Sequence, residues 1–291
     1  MYQYALYSRL RKEGKTAKLD INWFEAEKAN RCYELTKAFT TLDIGPEDYS
    51  TKTERIPFLW ARRFAHYRRL FGLGSGQSRF YLQDRGKATV SPNICRIKGP
   101  CYYDGYWGNE AIFLPIAQEL CQEFRFNADD LSEENRHIRN LIQTTPSVSI
   151  HVRRGDFLSS PAHELCEHGY YTRAIAQIRS QVPDAQFFVF SEDIPWCQEV
   201  IGRELKGQGP HYIDWNRGDR SYIDMYLMSL CQHNIIANSA FSWWSAWLGG
   251  FHSPAGARRL VIAPKDWLRG GDCLGGPLPA NWQTMANLGE V

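Results

Sequence analysis

The chain has 291 residues, 43% of them hydrophobic and 14% aromatic, with a formal net charge of +2. That length favours two domains of ordinary size and supplies ample apolar material for packed cores. So small a charge excludes nucleic-acid binding driven by global electrostatics, and any basic work must be local.

From the amino terminus, Tyr2–Lys12 is predicted helical, since Leu6 and Leu10 share a face and Gly14 suits a cap. Thr16–Ile21 reads as a short strand. The chain opens at a helix, without the strand and glycine turn that normally begin an α/β domain. A missing amino-terminal piece or a late start codon is therefore expected. Residues 22–100 are mixed, punctuated by Pro46, Pro57, Pro92 and Pro100. Phe58–Leu73 is rich in arginine and aromatics. A basic amphipathic helix of that kind would touch an anionic membrane surface; the alternative is a solvated helix face with an aromatic inner stripe. The loop Gly72-Leu73-Gly74-Ser75-Gly76 follows no strand and is weak as a phosphate cradle. A helix is predicted over 110–123 and another over 132–142, with Ser132 as its cap.

After Pro146 strands and helices alternate. Strands are predicted at 148–153, Gln186–Phe190, His211–Asp214, His233–Ala237 and Arg259–Ala263, the last of the chain. Helices are predicted at Tyr170–Gln181, Ile194–Gly202, Tyr222–Cys231 and Phe241–Leu248. Repeated βα units at this spacing imply a parallel, doubly wound sheet, with a domain boundary near residue 145.

Eight cysteines, at 32, 95, 101, 121, 166, 197, 231 and 273, show no Cys-x-x-Cys and no Cys/His ligand spacing. This argues against zinc and fits a reducing compartment better than a disulfide scaffold. No signal peptide opens the chain, and no apolar run reaches the ~18–20 residues of a membrane span. The expectation is a cytoplasmic protein, at most peripheral to a membrane.

Each strand of the second half ends in polar residues: Arg153–Asp156, Ser191–Asp193, Asp214, Asn238–Ser239. In an open α/β sheet these ends share one edge, where ligands bind. In the stretch from Val148 to Asp156, His151 and Arg153 project to one side and Arg154 leans the other way. Two adjacent guanidiniums suit phosphate oxygens. The plainer alternative is a strand end carrying a surface Arg–Asp pair. Ser239 opens a helix whose free N–H groups favour an anion. Together these fit a pyrophosphate, and no Asp-x-Asp is present to hold a divalent ion. Asp224 could accept from a guanine N1–H and N2–H₂ together, or serve only as a first-turn acid. The ten tryptophans pack cores and also stack on sugars.

His151-Val152-Arg153-Arg154-Gly155-Asp156, Phe190-Ser191-Glu192-Asp193 and the run from Asn238-Ser239-Ala240-Phe241 to Trp247 resemble, in order, three motifs of the α-1,2-fucosyltransferases, glycosyltransferase family 11. Tyr2-Gln3-Tyr4-Ala5 resembles the tail of their Gly-rich opening motif. Gly105-Tyr106-Trp107 with Phe113 resembles a further segment. The resemblance implies an α/β fold of GT-B type, with two Rossmann-like domains, the first incomplete. Residues 1–145 would be the acceptor side and 146–291 the donor-binding domain. It implies GDP-L-fucose as donor, the O2 of a terminal β-galactoside as acceptor, inversion, no metal and no cofactor. Arg153 and Arg154 would face the pyrophosphate and His151 the nucleotide. Asp224 would read guanine, and Asn238, Ser239 and Phe241 would stand where the following helix cups the phosphates. Asp156 is the expected base, with Glu192 second. The sequence departs from the pattern in lacking Gly-Gly-Leu-Gly-Asn-Gln before Met1. It also has Ala240 where Ser or Thr is usual, forgoing a hydrogen bond of ~0.5–1.5 kcal/mol. The alternative is a catalytically impaired protein that binds GDP-fucose or glycan. A hydrolase is disfavoured, since Glu192 and Asp193 are too close in sequence to straddle a sugar.

Overall fold

The computed structural model describes residues 1–24, 32–59, 80–83, 92–160, 163–207, 209–252, 258–268 and 278–288. The chain divides into two compact units: Met1–Arg125 with Cys273–Leu278, and Phe126–Asp272 with Pro279–Val291. The division thus falls before the boundary expected near residue 145. The reason is the helix over 133–144, whose Ile138 and Ile142 pack with Phe188, Phe190 and Ile213 of the second unit.

In the first unit, α1 (Tyr2–Lys12) buries Tyr2, Tyr4, Ala5, Leu6, Tyr7 and Leu10, a wider face than Leu6 and Leu10 alone. Gly14 follows with a φ of 77° that an L side chain rarely adopts. The expected strand at 16–21 is reduced to a single bridge between Leu19 and Tyr49. β1 (Phe80–Gln83) and β2 (Cys101–Asp104) pair in parallel. The helix predicted over 110–123 is broken into α2 (Glu110–Phe113), a 3₁₀ turn at Leu114–Ile116 and α3 (Ala117–Glu123). Pro115 has no N–H for the ladder and its ring clashes with the preceding turn. The basic run from Trp60 onward and the glycine loop at 72–76 lie outside the described residues.

The second unit is a six-stranded parallel sheet: β3 (Ser147–Val152), β4 (Gln186–Ser191), β5 (His211–Ile213), β6 (His233–Ile235), β7 (Val261–Pro264) and β8 (Gln283–Met285). Its order is β5-β4-β3-β6-β7-β8. Four helices matter here: α4 (Glu133–Thr144), α5 (His168–Gln181), α6 (Tyr222–Leu230) and α7 (Ala240–His252). One face packs Val148, Ile150, Val152, Phe187 and Val189 against Tyr170, Tyr171, Ile175 and Ile178 of α5. The other packs Phe188, Phe190 and Ile213 against α4 and against Ile223, Leu227 and Met228 of α6. Phe187–Phe190 is thus buried on both faces, as a near-continuous apolar strand should be.

β3 differs from its reading in one respect. Its Ser/His face is buried too, and small hydroxyls there accept internal hydrogen bonds. Ser149 Oγ takes one from Asn234 Nδ2 at 2.6 Å and Ser147 Oγ one from the Gln232 N–H at 3.1 Å. Past Trp196 the helix predicted to Gly202 becomes a π turn at Cys197–Ile201. The edge strand β8 has three residues and no apolar alternation, which is why the pattern of the chain does not announce it.

The chain runs outward from β3 through β4 to β5, then returns to place β6 on the other side of β3. Strand order therefore reverses between β3 and β6, the point at which such sheets open a crevice at their carboxyl edge.

Candidate functional site

The register pairs Val152 with Ser191, so Arg153 and Arg154 emerge level with Glu192 and Asp193. Arg153 Nη1 lies 3.3 Å from Glu192 Oε1, and its Nη2 lies 2.5 Å from Asp156 Oδ1. Arg154 Nε donates to Asp193 Oδ2 at 3.0 Å. Its guanidinium lies 4.3 Å from the centroid of the Trp196 ring, a cation–π contact, while that of Arg153 lies 5.3 Å from the Phe157 ring. Glu192 Oε1 also accepts the Arg154 backbone N–H at 3.2 Å. A Cβ on Gly155 would come within 2.6 Å of that oxygen, so a larger residue there would push the Glu192 side chain aside.

The surface Arg–Asp pairing that the sequence left open is present in this structure, and it is wider than a single pair. Two arginines are ringed by three carboxylates, leaving one net negative charge. An anion binding at these arginines would compete with acids of the chain for their N–H groups. Asp156, 57% exposed, is the partner most readily released; Asp193 is held further by accepting the Trp196 N–H at 3.2 Å. Glu192 and Asp193 are each engaged in ion pairs. Among the described residues no group of three or more His, Cys, Asp or Glu is placed to hold a metal ion.

His151 is buried on the polar face of β3. Burial pushes its pKa down to about 3, with Arg153 adding to the effect, so the ring is neutral. Among the described residues its Nδ1 has no hydrogen-bond partner. The ring lies 5.5 Å, centroid to centroid, from Phe241 in the first turn of α7. This contact joins the end of β3 to the helix after β6. Ser239 Oγ accepts the Phe241 N–H at 3.3 Å, so the hydroxyl caps α7. Asn238 behaves differently from the expectation. Its Nδ2 donates to the carbonyls of Glu164 and, at 2.9 Å, Trp267, and the Cys166 thiol approaches its Oδ1 at 3.9 Å. The side chain clamps two loops around the site, both of its amide hydrogens being used by the chain.

Asp224 stands in the first turn of α6, half-buried. Oδ1 accepts from Asn216 Nδ2 at 2.7 Å. Burial raises its pKa to about 7, opposed by the Asn216 hydrogen bond and helped by Asp214. Asn216 is in turn bonded to Asn135 of α4. Trp196, Trp215, Asn216 and Asn135 were not singled out from the sequence. Trp196 carried a weak signal, three residues beyond Asp193 on the same turn. Asn135 and Asn216 carried none, being 81 positions apart in the chain.

A family profile described as Glycosyl transferase family 11 matches residues 86–259. An α-1,2-colitosyltransferase of Escherichia coli is 33% identical over 175 residues, covering 59% of this chain and 57% of that protein. The E. coli O-antigen biosynthesis glycosyltransferase WbnK is 35% identical over 191 residues, covering 61% and 59%. Mouse galactoside alpha-(1,2)-fucosyltransferase 2 is 26% identical over 157 residues, covering 51% and 44%. The chain thus spans no more than three-fifths of the length of these relatives. A solved glycosyl transferase family 9 structure from Veillonella parvula overlays with a TM-score of 0.39 at 11% identity, covering 84% of this chain and 73% of that one. An overlay that loose supports no argument. The profile covers more than half of the chain and includes the ends of β3, β4, β5 and β6; this protein belongs to glycosyl transferase family 11.

Proposed function

We propose that this protein is a glycosyltransferase that moves L-fucose from GDP-L-fucose to the O2 of a terminal β-galactoside, with inversion and without a metal ion. The observation that carries the reading is the arginine pair at the reversal point of a parallel sheet, with His151 of the same strand against the start of α7, in a chain of this family. The reading includes a two-domain GT-B architecture. The second unit is the donor-binding domain and the first serves the acceptor.

The chemistry follows from the charges. The acceptor O2 attacks C1 as GDP departs, and negative charge grows on the β-phosphate. Arg153 and Arg154 bind that charge more tightly in the transition state than before it. When Arg153 turns to phosphate it leaves Asp156, and the freed carboxylate takes the hydroxyl proton. His151, neutral in its buried place, donates or accepts through Nδ1 without adding charge.

The test is incubation with GDP-L-fucose and a panel of β-galactosides, with and without a chelator, followed by linkage analysis of the product. Calorimetric GDP binding without transfer would instead make the chain a GDP-fucose or glycan binding protein. Transfer abolished by the chelator would end the metal-free mechanism. A second reading, transfer of colitose, is favoured by the E. coli colitosyltransferase relative. A colitose donor therefore belongs in the same panel.

A further inference from the structure

A polar network ties the loop after β5 to the start of α4. Asn135 and Asn216 are 1% and 5% exposed. Asn135 Nδ2 donates to Asn216 Oδ1 at 2.8 Å, and Asn216 Nδ2 returns a bond to Asn135 Oδ1 at 2.9 Å. The second hydrogen on each amide is also used. Asn135 donates to Ser132 Oγ at 3.1 Å, and Asn216 to Asp224 Oδ1 at 2.7 Å. Trp215 Nε1 donates to Asn135 Oδ1 at 3.0 Å. Buried polar groups this fully paired specify geometry, because any rotation leaves an amide unpaired.

Two groups are held by this network. The Asp224 carboxylate is fixed through Oδ1, which leaves Oδ2 to accept from another donor. The Trp215 indole is pinned by its N–H, yet the residue remains 40% exposed. Both lie just beyond β5, on the same carboxyl edge as Arg153 and Arg154. We propose that Trp215, Asn216 and Asn135 form the base-reading end of the nucleotide site. Trp215 offers a ring face for a purine to stack on, and the amide pair aims Asp224 at adjacent N–H donors on the purine's edge. Guanine has such donors at N1 and N2. Adenine presents an acceptor at N1, and uracil a lone N–H between two carbonyls. Asn135 and Asn216 are positioning residues acting through Asp224. The inference rests on the nucleotide-sugar reading above and adds which side chains stack on the base and aim the acid that reads it.

Calorimetric titration of the full chain with GDP, IDP and ADP tests it. IDP keeps N1–H and lacks the amino group. The unaltered protein is expected to bind GDP about tenfold or more tighter than IDP, with ADP weaker still. Asn216→Ala is expected to bring the GDP and IDP affinities to within about threefold of each other, an effect that mere loosening of the fold would not produce. Trp215→Ala is expected to weaken GDP and IDP equally, by about tenfold, since stacking does not read donors. Trp215 is half-exposed, so this variant carries the test if Asn216→Ala does not fold; unchanged GDP affinity in it overturns the proposal. Full discrimination retained in a folded Asn216→Ala does so as well. No GDP binding by the unaltered protein would overturn the nucleotide-sugar reading itself, and this inference with it.

Discussion

Replacing Asp156 by Asn separates the two roles proposed for its carboxylate, partner of Arg153 and proton acceptor. The Asp156–Arg153 pair is close, at 2.5 Å, but Asp156 is 57% exposed. Solvent screening limits such a pair to ~0.2–1 kcal/mol, so the melting temperature should move little. The same energy opposes donor binding, because Arg153 must leave Asp156 before it can grip a phosphate. Asp156→Asn should therefore tighten GDP binding by up to about fivefold. Turnover should move the other way, falling about 10²–10⁴-fold with the loss of the proton acceptor. Calorimetry with GDP and steady-state transfer to a β-galactoside measure the two effects in one preparation. Weaker GDP binding in a variant that melts normally would refute the idea that Asp156 competes with the donor. Unaltered turnover would hand the base role to another group, with Glu192 next in line.

Arg154→Ala removes a guanidinium that also stacks on Trp196; kcat should fall about 10²-fold or more with little change in the acceptor KM, and equal kcat values would exclude its role. Asp224 binds its proton more tightly when folded, with a pKa of about 7 against an ordinary value of 3.8. Its contribution to stability is thus greatest below pH 4 and is lost as pH rises through 7. Asp224→Asn should accordingly melt higher than the unaltered protein at pH 8, the gap closing toward pH 4, while GDP binding is lost; a pH-independent gap would contradict the burial argument. Asn238→Ala strands two loop carbonyls and should destabilise by about 2–4 kcal/mol in urea unfolding, whereas a stable variant defective only in GDP binding would return Asn238 to the ligand. Tyr170 OH bridges the carbonyls of Ile236 and Ile262 at 2.6 and 3.1 Å, and Tyr170→Phe should lose about 1–3 kcal/mol by the same measurement.

Much of the second unit was legible from residue order. Alternation after Pro146 and the apolar run at 187–190 require a parallel sheet covered on both faces. Polar residues at the strand ends mark its working edge. Those conclusions depend on short-range periodicity, which reports the side a residue faces. Periodicity says nothing of which residue on another strand stands level with it. That Arg154 meets Asp193, and that Arg153 meets both Glu192 and Asp156, was decided by the β3–β4 register. The same limit hid the Asn135–Asn216–Asp224 network, assembled from a helix before the sheet and a loop within it. It also hid the clamping role of Asn238, since only the folded chain brings the carbonyls of Glu164 and Trp267 to its amide. Residue types alone determined that this edge would be charged and polar; packing decided which of those charges are already paired before a ligand arrives.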